Sequence, residues 1–72
     1  MWQYEGDSDG EWFKYPVHIC ANLEENWRLQ QLISLEYQAL NGQSYEITLF
    51  NMTQRNLYTH KTRRIRRKLV RF

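Results

Sequence analysis

Residues 33–39 and 45–49 alternate between apolar and polar side chains, and an Asn41-Gly42 pair lies between the two stretches. Because successive side chains of a strand point to opposite faces, each stretch predicts a half-buried β-strand. An Asn-Gly pair between two such stretches is typical of a tight hairpin. The sequence therefore predicts a fold built on an antiparallel sheet.

The length of the hairpin loop decides which residues face each other. A two-residue loop would pair Leu40 with Gln43 and would put Ile47 on the same face as Glu36. We favour a three-residue loop over residues 41–43, because it brings both apolar sets to one face. Its pairs would be Ala39 with Tyr45, Tyr37 with Ile47 and Leu35 with Leu49.

A second hairpin is predicted at the N-terminus. Trp2 and Tyr4 alternate with polar residues, residues 6–10 are rich in glycine and aspartate, and an aromatic run follows over 12–15. Pro16 cannot donate to a strand ladder, so it ends the second strand.

A short helix is predicted after this hairpin. Asn22 is a good N-cap, and Glu25 three residues later completes an arrangement like a capping box. Ile19, Leu23 and Trp27 recur every four residues and would form the buried stripe of this helix.

The C-terminal part contains a polar, turn-rich stretch over residues 51–61 and then a basic strand over 63–69. Together the elements predict an α+β fold, in which one short helix packs on a twisted antiparallel sheet of five or six strands. In the basic strand, the predicted inner positions are Arg63, Ile65, Arg67 and Leu69, and the outer positions are Arg64, Arg66 and Lys68.

Charge is strongly segregated along the chain, although the net charge is only +2. Residues 1–46 carry all eight acids and two bases, whereas residues 47–72 carry eight bases and no acid. Such asymmetry favours an anionic partner for the C-terminal part. It is equally consistent with an acidic half that folds against the basic half, and charge alone leaves both interpretations open.

No catalytic or metal site emerges from the residues. The serines and the two histidines, His18 and His60, lie in no nucleophile motif, and there is no glycine-rich phosphate loop. Glu24 and Glu25 are adjacent, so on a helix they point about 100° apart instead of converging as an acid–base pair. His18 and Cys20 supply two ligands where structural zinc takes four. We therefore predict a domain that is not an enzyme and that needs no metal or cofactor.

Length and cysteine content limit the class of protein further. A chain of 72 residues forms one domain with a thin core, and we expect it to be a piece of something larger. Its single cysteine, Cys20, excludes an internal disulfide and fits a reducing compartment. No apolar run approaches the ~18 residues of a membrane span. We therefore expect an intracellular location, cytoplasmic or nuclear, and no membrane partner.

The order of several features is specific. Trp2 in the first strand, Trp12 in the second and Glu24 in the helix resemble the two tryptophans and the glutamate that name the WWE domain. The C-terminal half is similar to WWE modules of certain ADP-ribosyltransferases, and the resemblance runs from Trp2 to about Leu69. Its residues there are Tyr45-x-Ile47, Met52-x-Gln54-x-Asn56-Leu57, Thr59, Lys61 and Arg63-x-Ile65-x-Arg67.

This resemblance implies a single WWE-type domain over residues 1–72, folded as an antiparallel half-barrel with one helix. It also implies a non-catalytic module that binds ADP-ribose or the iso-ADP-ribose unit of poly(ADP-ribose), within an ADP-ribosyltransferase or a ubiquitin ligase. Its partners would be ADP-ribosylated proteins. The family's ligand positions fall on Tyr4 and Tyr45 as pocket aromatics, Gln54 on the adenine edge and Arg63 on a phosphate.

One segment departs from the family pattern. In readers of iso-ADP-ribose, the loop after the first strand can contribute an arginine, but residues 5–11 here hold four acids and no base. Phe13 also stands where a strong reader carries a second tryptophan. We therefore expect weaker binding, a preference for terminal ADP-ribose or another adenine nucleotide, or no ligand. The alternatives are a WWE-fold protein-interaction module and, less favoured, RNA binding through the outer row of Arg64, Arg66 and Lys68.

Overall fold

The computed structural model describes residues 1–69, which form six strands and one helix. All neighbouring strands are antiparallel, and the sheet is open, with spatial order β2-β1-β6-β5-β4-β3. The predicted α+β class, with a half-barrel-like sheet and a single short helix, is confirmed, and the sheet has six strands. The elements are β1 (Trp2–Glu5), β2 (Trp12–Lys14), α1 (Val17–Arg28), β3 (Ser34–Gln38), β4 (Ser44–Thr48), β5 (Thr53–Asn56) and β6 (Thr62–Arg67).

The hydrophobic core lies between α1 and the inner face of the sheet, which we define as the face that carries Trp2, Ile47 and Ile65. Along β6, Arg67 reaches α1, Ile65 is buried and Arg63 lies beyond the helix. The helix therefore covers one end of the inner face and leaves the other end open. The buried apolar residues are Trp2, Tyr15, Ile19, Leu23, Ile47, Leu49 and Ile65. Within residues 1–69, no helix has the length and apolar character needed to cross a membrane.

The β3–β4 hairpin has the predicted facing but not the predicted register. Tyr37 pairs with Tyr45 and Leu35 with Ile47. Both apolar sets lie on the inner face, as predicted, but every predicted pair is wrong by two residues. The pairs expected to join Ala39 with Tyr45, Tyr37 with Ile47, and Leu35 with Leu49 do not form.

Gly42 explains the shift in register. The three-residue loop is residues 40–42, because the Ala39 amide donates to the Gln43 carbonyl at 2.9 Å and closes the ladder there. Hairpins of this kind need a positive φ at the third loop position. Gly42 meets that requirement with a φ of +82° and without a steric cost. The glycine therefore sets the loop one residue earlier than residues 41–43.

The helix begins five residues before the predicted cap, so the Asn22 capping box is wrong. Pro16 precedes the first turn with a φ of −54°, and its carbonyl accepts from the Ile19 and Cys20 amides at 3.0 and 2.9 Å. Pro16 thus occupies the N-cap position itself, and no side chain caps the first turn. Asn22 lies inside the helix, where its Oδ1 accepts from Asn26 Nδ2 at 2.7 Å.

The predicted helix stripe is correct at Ile19 and Leu23, which are buried. The predicted burial of Trp27 is wrong, since 38% of this residue is exposed. Its ring nevertheless meets Trp2 edge-on, with 5.7 Å between ring centroids. Trp27 therefore covers the buried Trp2 ring on the side that faces the helix.

One strand falls where the sequence predicted turns. Residues 53–56 form β5, inside the stretch predicted as polar and turn-rich. The inward positions of β5 are Gln54 and Asn56, not apolar residues, so the strand has no apolar alternation to reveal it. The following strand, predicted over residues 63–69, spans Thr62–Arg67.

The acidic and basic halves of the chain pair with each other. Within residues 1–69 the structure contains five ion pairs, and each joins an acid before residue 47 to a base after it. Folding of one half against the other therefore accounts for much of the charge segregation. The pairs are Glu46–Arg55, Asp7–Lys61, Asp7–Arg63, Glu5–Arg64 and Glu24–Arg67.

Glu24 joins α1 to the adjacent strands β1 and β6. Its carboxylate accepts from Arg67 Nε at 2.7 Å and Nη2 at 2.6 Å, and from Trp2 Nε1 at 3.0 Å. The hydrogen bonds from Arg67 are the main reason that the pKa of Glu24 falls from its ordinary value of 4.5 to about 2. Charge-assisted, bidentate bonds of this kind are among the stronger surface interactions.

This lowered pKa predicts acid sensitivity. Because the unfolded chain takes up the proton first, stability from Glu24 is fully present above pH 4.5 and is lost as the pH falls toward 2. We expect Glu24→Gln to lower the free energy of unfolding at neutral pH by about 1 kcal/mol, allowing for solvent screening. The variant should also lose less stability than wild type on acidification. Urea unfolding at stepped pH measures both.

Glu25→Gln is the matched control, since Glu25 is the next helix residue and forms no ion pair within the described residues. Its curve of stability against pH should follow wild type. Parallel curves for wild type and Glu24→Gln would contradict the assignment.

Candidate functional site

A cavity of about 240 Å³ opens at the uncovered end of the inner face. All four residues singled out from the sequence, Tyr4, Tyr45, Gln54 and Arg63, line it. They come from β1, β4, β5 and β6, and Gln54 lies opposite both Ile47 and Arg63 in the strand registers. The sheet therefore brings together four side chains that are far apart in the sequence.

Aromatic rings form a continuous series behind and beside the cavity. Tyr4 lies between Phe13 and Tyr15, with ring centroids 5.6 and 5.0 Å away. Tyr15 meets Tyr37 at 5.9 Å, and Tyr37 stacks on Tyr45 at 5.9 Å. Burial raises the pKa of Tyr4, Tyr15 and Tyr37, so these hydroxyls stay protonated at neutral pH and can donate hydrogen bonds.

Gln54 is the most enclosed polar group of the cavity, with 4% of its surface exposed. Its Oε1 accepts a hydrogen bond from the Tyr15 hydroxyl at 2.5 Å. In the described part of the chain no protein atom accepts from Gln54 Nε2, so the amide offers its donor side to the cavity. A buried amide held in one orientation discriminates ligands by the acceptors that they present.

The rim at the other side of the cavity carries two cations, Arg63 and Lys61, and the acids Glu5 and Asp7. Arg63 lies on this rim and keeps 23% of its side chain exposed. Its Nη1 donates to the Gly6 carbonyl at 3.2 Å, and its Nη2 donates to Asp7 Oδ1. Lys61 Nζ donates to the same Asp7 oxygen at 3.4 Å. These hydrogen bonds, from Arg63 first and Lys61 second, lower the pKa of Asp7, so its carboxylate is charged at neutral pH.

The sequence did not assign a role to several residues of the site. In the sequence Tyr15 is distinguished only as part of an aromatic run, whereas in the fold its hydroxyl donates to Gln54 and so joins the residue after β2 to β5. Asn56 orders the β5–β6 loop, because its Oδ1 accepts from the Tyr58 and Thr59 amides at 2.8 and 3.1 Å. That loop carries Lys61 to the rim. Asn56 could be identified from the sequence only if residues 53–56 were first recognised as a strand with Gln54 and Asn56 on its inner face.

The outer face of the sheet holds the other basic residues near the cavity. Arg64 pairs with Glu5, and Arg66 donates to Gln3 Oε1 at 2.8 Å. The Arg66 guanidinium also lies 4.1 Å from the centroid of the Trp12 ring. The two arginines of the outer row thus have partners within the domain. Across residues 1–69, no three histidine, cysteine, aspartate or glutamate side chains gather in a group that could hold a metal.

Comparison with known families gives one finding. A sequence model of the WWE domain matches residues 1–67, a range that contains every strand, the helix and all the residues that line the cavity. No curated protein matches the chain.

Proposed function

This chain belongs to the WWE domain family of non-catalytic recognition modules, and we propose that its cavity binds ADP-ribose or the iso-ADP-ribose unit of poly(ADP-ribose). The observation that carries the proposal is the convergence of three features in one cavity: a buried amide donor, an aromatic wall and two cations. A ligand with an acceptor-rich base at one end and phosphates at the other complements these features.

Gln54 and the tyrosines would bind the adenine end. Adenine ring nitrogens are acceptors, so Gln54 Nε2, held by the Tyr15 bond to Oε1, would donate to one of them. Tyr4 and Tyr45 line the same cavity and would pack against the base and its ribose. Contact with an aromatic face contributes about 1–3 kcal/mol per base in other nucleotide-binding proteins.

Arg63 would bind a phosphate, with Lys61 beside it on the rim. A guanidinium matches two phosphate oxygens at once, and an ammonium adds a point charge. The cavity volume of about 240 Å³ is slightly below the ~300 Å³ of sites that enclose a whole drug-sized ligand. This size suits a ligand held through one part while the remainder extends outside, as a unit of a polymer must.

The wider context is proposed on the same basis. Partners would be ADP-ribosylated proteins or the polymer itself, and the host would be an ADP-ribosyltransferase or a ubiquitin ligase. The free thiol of Cys20 fits a reducing compartment, and we propose an intracellular location, cytoplasmic or nuclear.

An NMR titration of the labelled domain with iso-ADP-ribose, and then with ADP-ribose, tests the proposal. We expect saturable shifts that cluster at Tyr4, Tyr45, Gln54 and Arg63, and the tighter ligand identifies the preferred end of the polymer. Gln54→Leu removes the amide donor and should weaken binding about tenfold or more. Arg55→Ala is the control, because Arg55 neighbours Gln54 in β5 and makes an exposed ion pair with Glu46.

Two results would reject the proposal. Flat spectra with both ligands would leave a WWE-fold protein-interaction module without a nucleotide. Shifts confined to Arg64, Arg66 and Lys68 would favour nucleic-acid binding through the outer row. Such binding should weaken steeply as the salt concentration rises.

A further inference from the structure

We infer that Asp7 competes with the ligand for the two cations on the rim of the cavity, and so makes the domain select ligands by the charge of their anionic group. The inference rests on the proposed function, since it concerns the same cavity. It assigns a specificity-determining role to a residue on the loop between β1 and β2, outside the four candidate ligand residues.

The contacts of Asp7 are those expected of a ligand phosphate oxygen. One oxygen, Oδ1, accepts hydrogen bonds from both Arg63 and Lys61. The second guanidinium nitrogen, Nη1, is held by the Gly6 carbonyl at 3.2 Å. The two cations available for a phosphate are thus already bound to the chain's own carboxylate. An anionic ligand must replace that carboxylate before it gains the same contacts.

The loop is built to hold Asp7 in this place. The Gly6 amide donates to the Glu11 carbonyl at 2.8 Å, and the Glu11 amide donates to the Ser8 carbonyl at 3.0 Å, so the loop closes on itself. Gly6 also lies close beneath the Phe13 ring, where a Cβ atom would come within 2.7 Å of Phe13 Cε2. Asp7 therefore follows directly from a fixed point at the end of β1.

The Asp7 carboxylate is held but can be displaced. Its side chain is 78% exposed, so water can solvate it as soon as it leaves the rim. Exposed ion pairs are individually weak because water and salt screen them. Displacement therefore reduces ligand affinity without abolishing it.

This competition discriminates between ligands by charge. A neutral nucleoside needs no displacement, because it contacts only the tyrosine and glutamine side of the cavity. A ligand with a single negative charge only replaces the Asp7 carboxylate at Arg63 and Lys61, so it gains little from these two cations. A pyrophosphate brings two negative charges to the same two cations, and it gains more than the departing carboxylate loses. The cavity should therefore favour diphosphate-containing ligands over monoanionic ones.

Asp7→Asn tests this inference, with Asp9→Asn as the matched control. Asp9 lies in the same loop and makes no ion pair within the described residues. Isothermal titration near physiological salt would give Kd values for ADP-ribose and adenosine. We expect Asp7→Asn to bind ADP-ribose about threefold to tenfold more tightly than wild type, because the competent state no longer requires displacement. Adenosine affinity should not change, and Asp9→Asn should match wild type within about twofold.

Each other outcome has a distinct meaning. Equal ADP-ribose affinities for wild type and both variants would overturn the inference and leave the proposed function intact. An equal gain for adenosine would also overturn it, because the effect would then be steric. If no variant binds ADP-ribose, the proposed function fails, and inorganic pyrophosphate becomes the probe. Tighter pyrophosphate binding by Asp7→Asn than by Asp9→Asn would still support competition at the rim, and equal binding would overturn it.

Discussion

Replacement of Arg63 by alanine is expected to weaken ADP-ribose binding by about a hundredfold or more. The substitution removes the guanidinium donors from the cavity rim and leaves Lys61 as the remaining basic residue among those that line the cavity. It also leaves Asp7 without its guanidinium partner, so that part of its negative charge faces the incoming phosphate. Isothermal titration of the purified domain measures the loss, and thermal unfolding should show that the domain remains folded.

Arg64→Ala provides the matched control for this prediction. Arg64 is the next residue of β6, but it lies on the outer face and pairs with Glu5. Its removal should change ligand affinity by less than about twofold, since exposed ion pairs contribute little. Arg63→Lys should fall between the two, because lysine keeps the charge but loses the bidentate geometry. Nearly unchanged affinity in Arg63→Ala would place the phosphate elsewhere.

Replacement of Trp2 by alanine is expected to remove a large share of the domain's stability. Trp2 has no exposed surface, and loss of a buried tryptophan costs about 3–5 kcal/mol. A domain of 72 residues has a total stability of about 4–11 kcal/mol at typical values per residue. The substitution also removes the indole donor to Glu24 and the ring against which Trp27 packs. Urea unfolding followed by circular dichroism measures the effect.

Trp12→Ala separates this effect from the loss of any tryptophan. Trp12 lies on the outer face of β2, where its ring contacts Arg66. Loss of such a partly exposed contact should cost about 1 kcal/mol. Trp2→Phe keeps most of the buried volume and should be intermediate. A Trp2→Ala protein with nearly the midpoint of wild type would show that the core does not depend on this residue.

Much of the sheet was predictable because one of its faces is apolar. Alternation identified β3 and β4 and put Tyr45 and Ile47 on one face, and the face assignment is correct. The pairing was wrong by two residues because parity alone does not locate a loop. The backbone requirement for a positive φ at Gly42 locates it, and that requirement belongs to the turn and not to the strands.

The cavity was less predictable because the strand that forms its floor has no apolar face. A strand that presents Gln54 and Asn56 inward has no apolar period, so a pattern that depends on burial misses it. The resemblance to WWE modules nevertheless selected Gln54, because it compares residue types and not periodicity. Tyr15 could not be found in either way, since its role depends on a hydrogen bond to a residue 39 positions away.

The acidic loop shows a further limit of sequence reasoning. The acids of residues 5–11 indicate repulsion of a phosphate, and their negative charges are consistent with such an unfavourable effect. The sequence could not reveal that Asp7 turns toward Arg63 and Lys61, because the direction of a loop depends on its backbone bonds. A contact between residues so far apart in the chain emerges only from the completed fold.

The antiparallel pairing of β1 with β6 determines how the domain responds to tension. Trp2 pairs with Arg67, and the Lys68 amide donates to the Met1 carbonyl at 2.7 Å, so the chain enters and leaves the sheet at the same point. A force that separates these two points peels the ladder one hydrogen bond at a time, instead of shearing all of the bonds together. The hydrogen bonds from Trp2 and Arg67 to Glu24 lie at the end of the β1–β6 ladder where peeling starts. The helix therefore stabilises the first pair of this ladder to be broken. Tyr4 and Arg63 lie farther from the end where peeling starts, so the cavity opens only after the hydrogen bonds to Glu24 have broken.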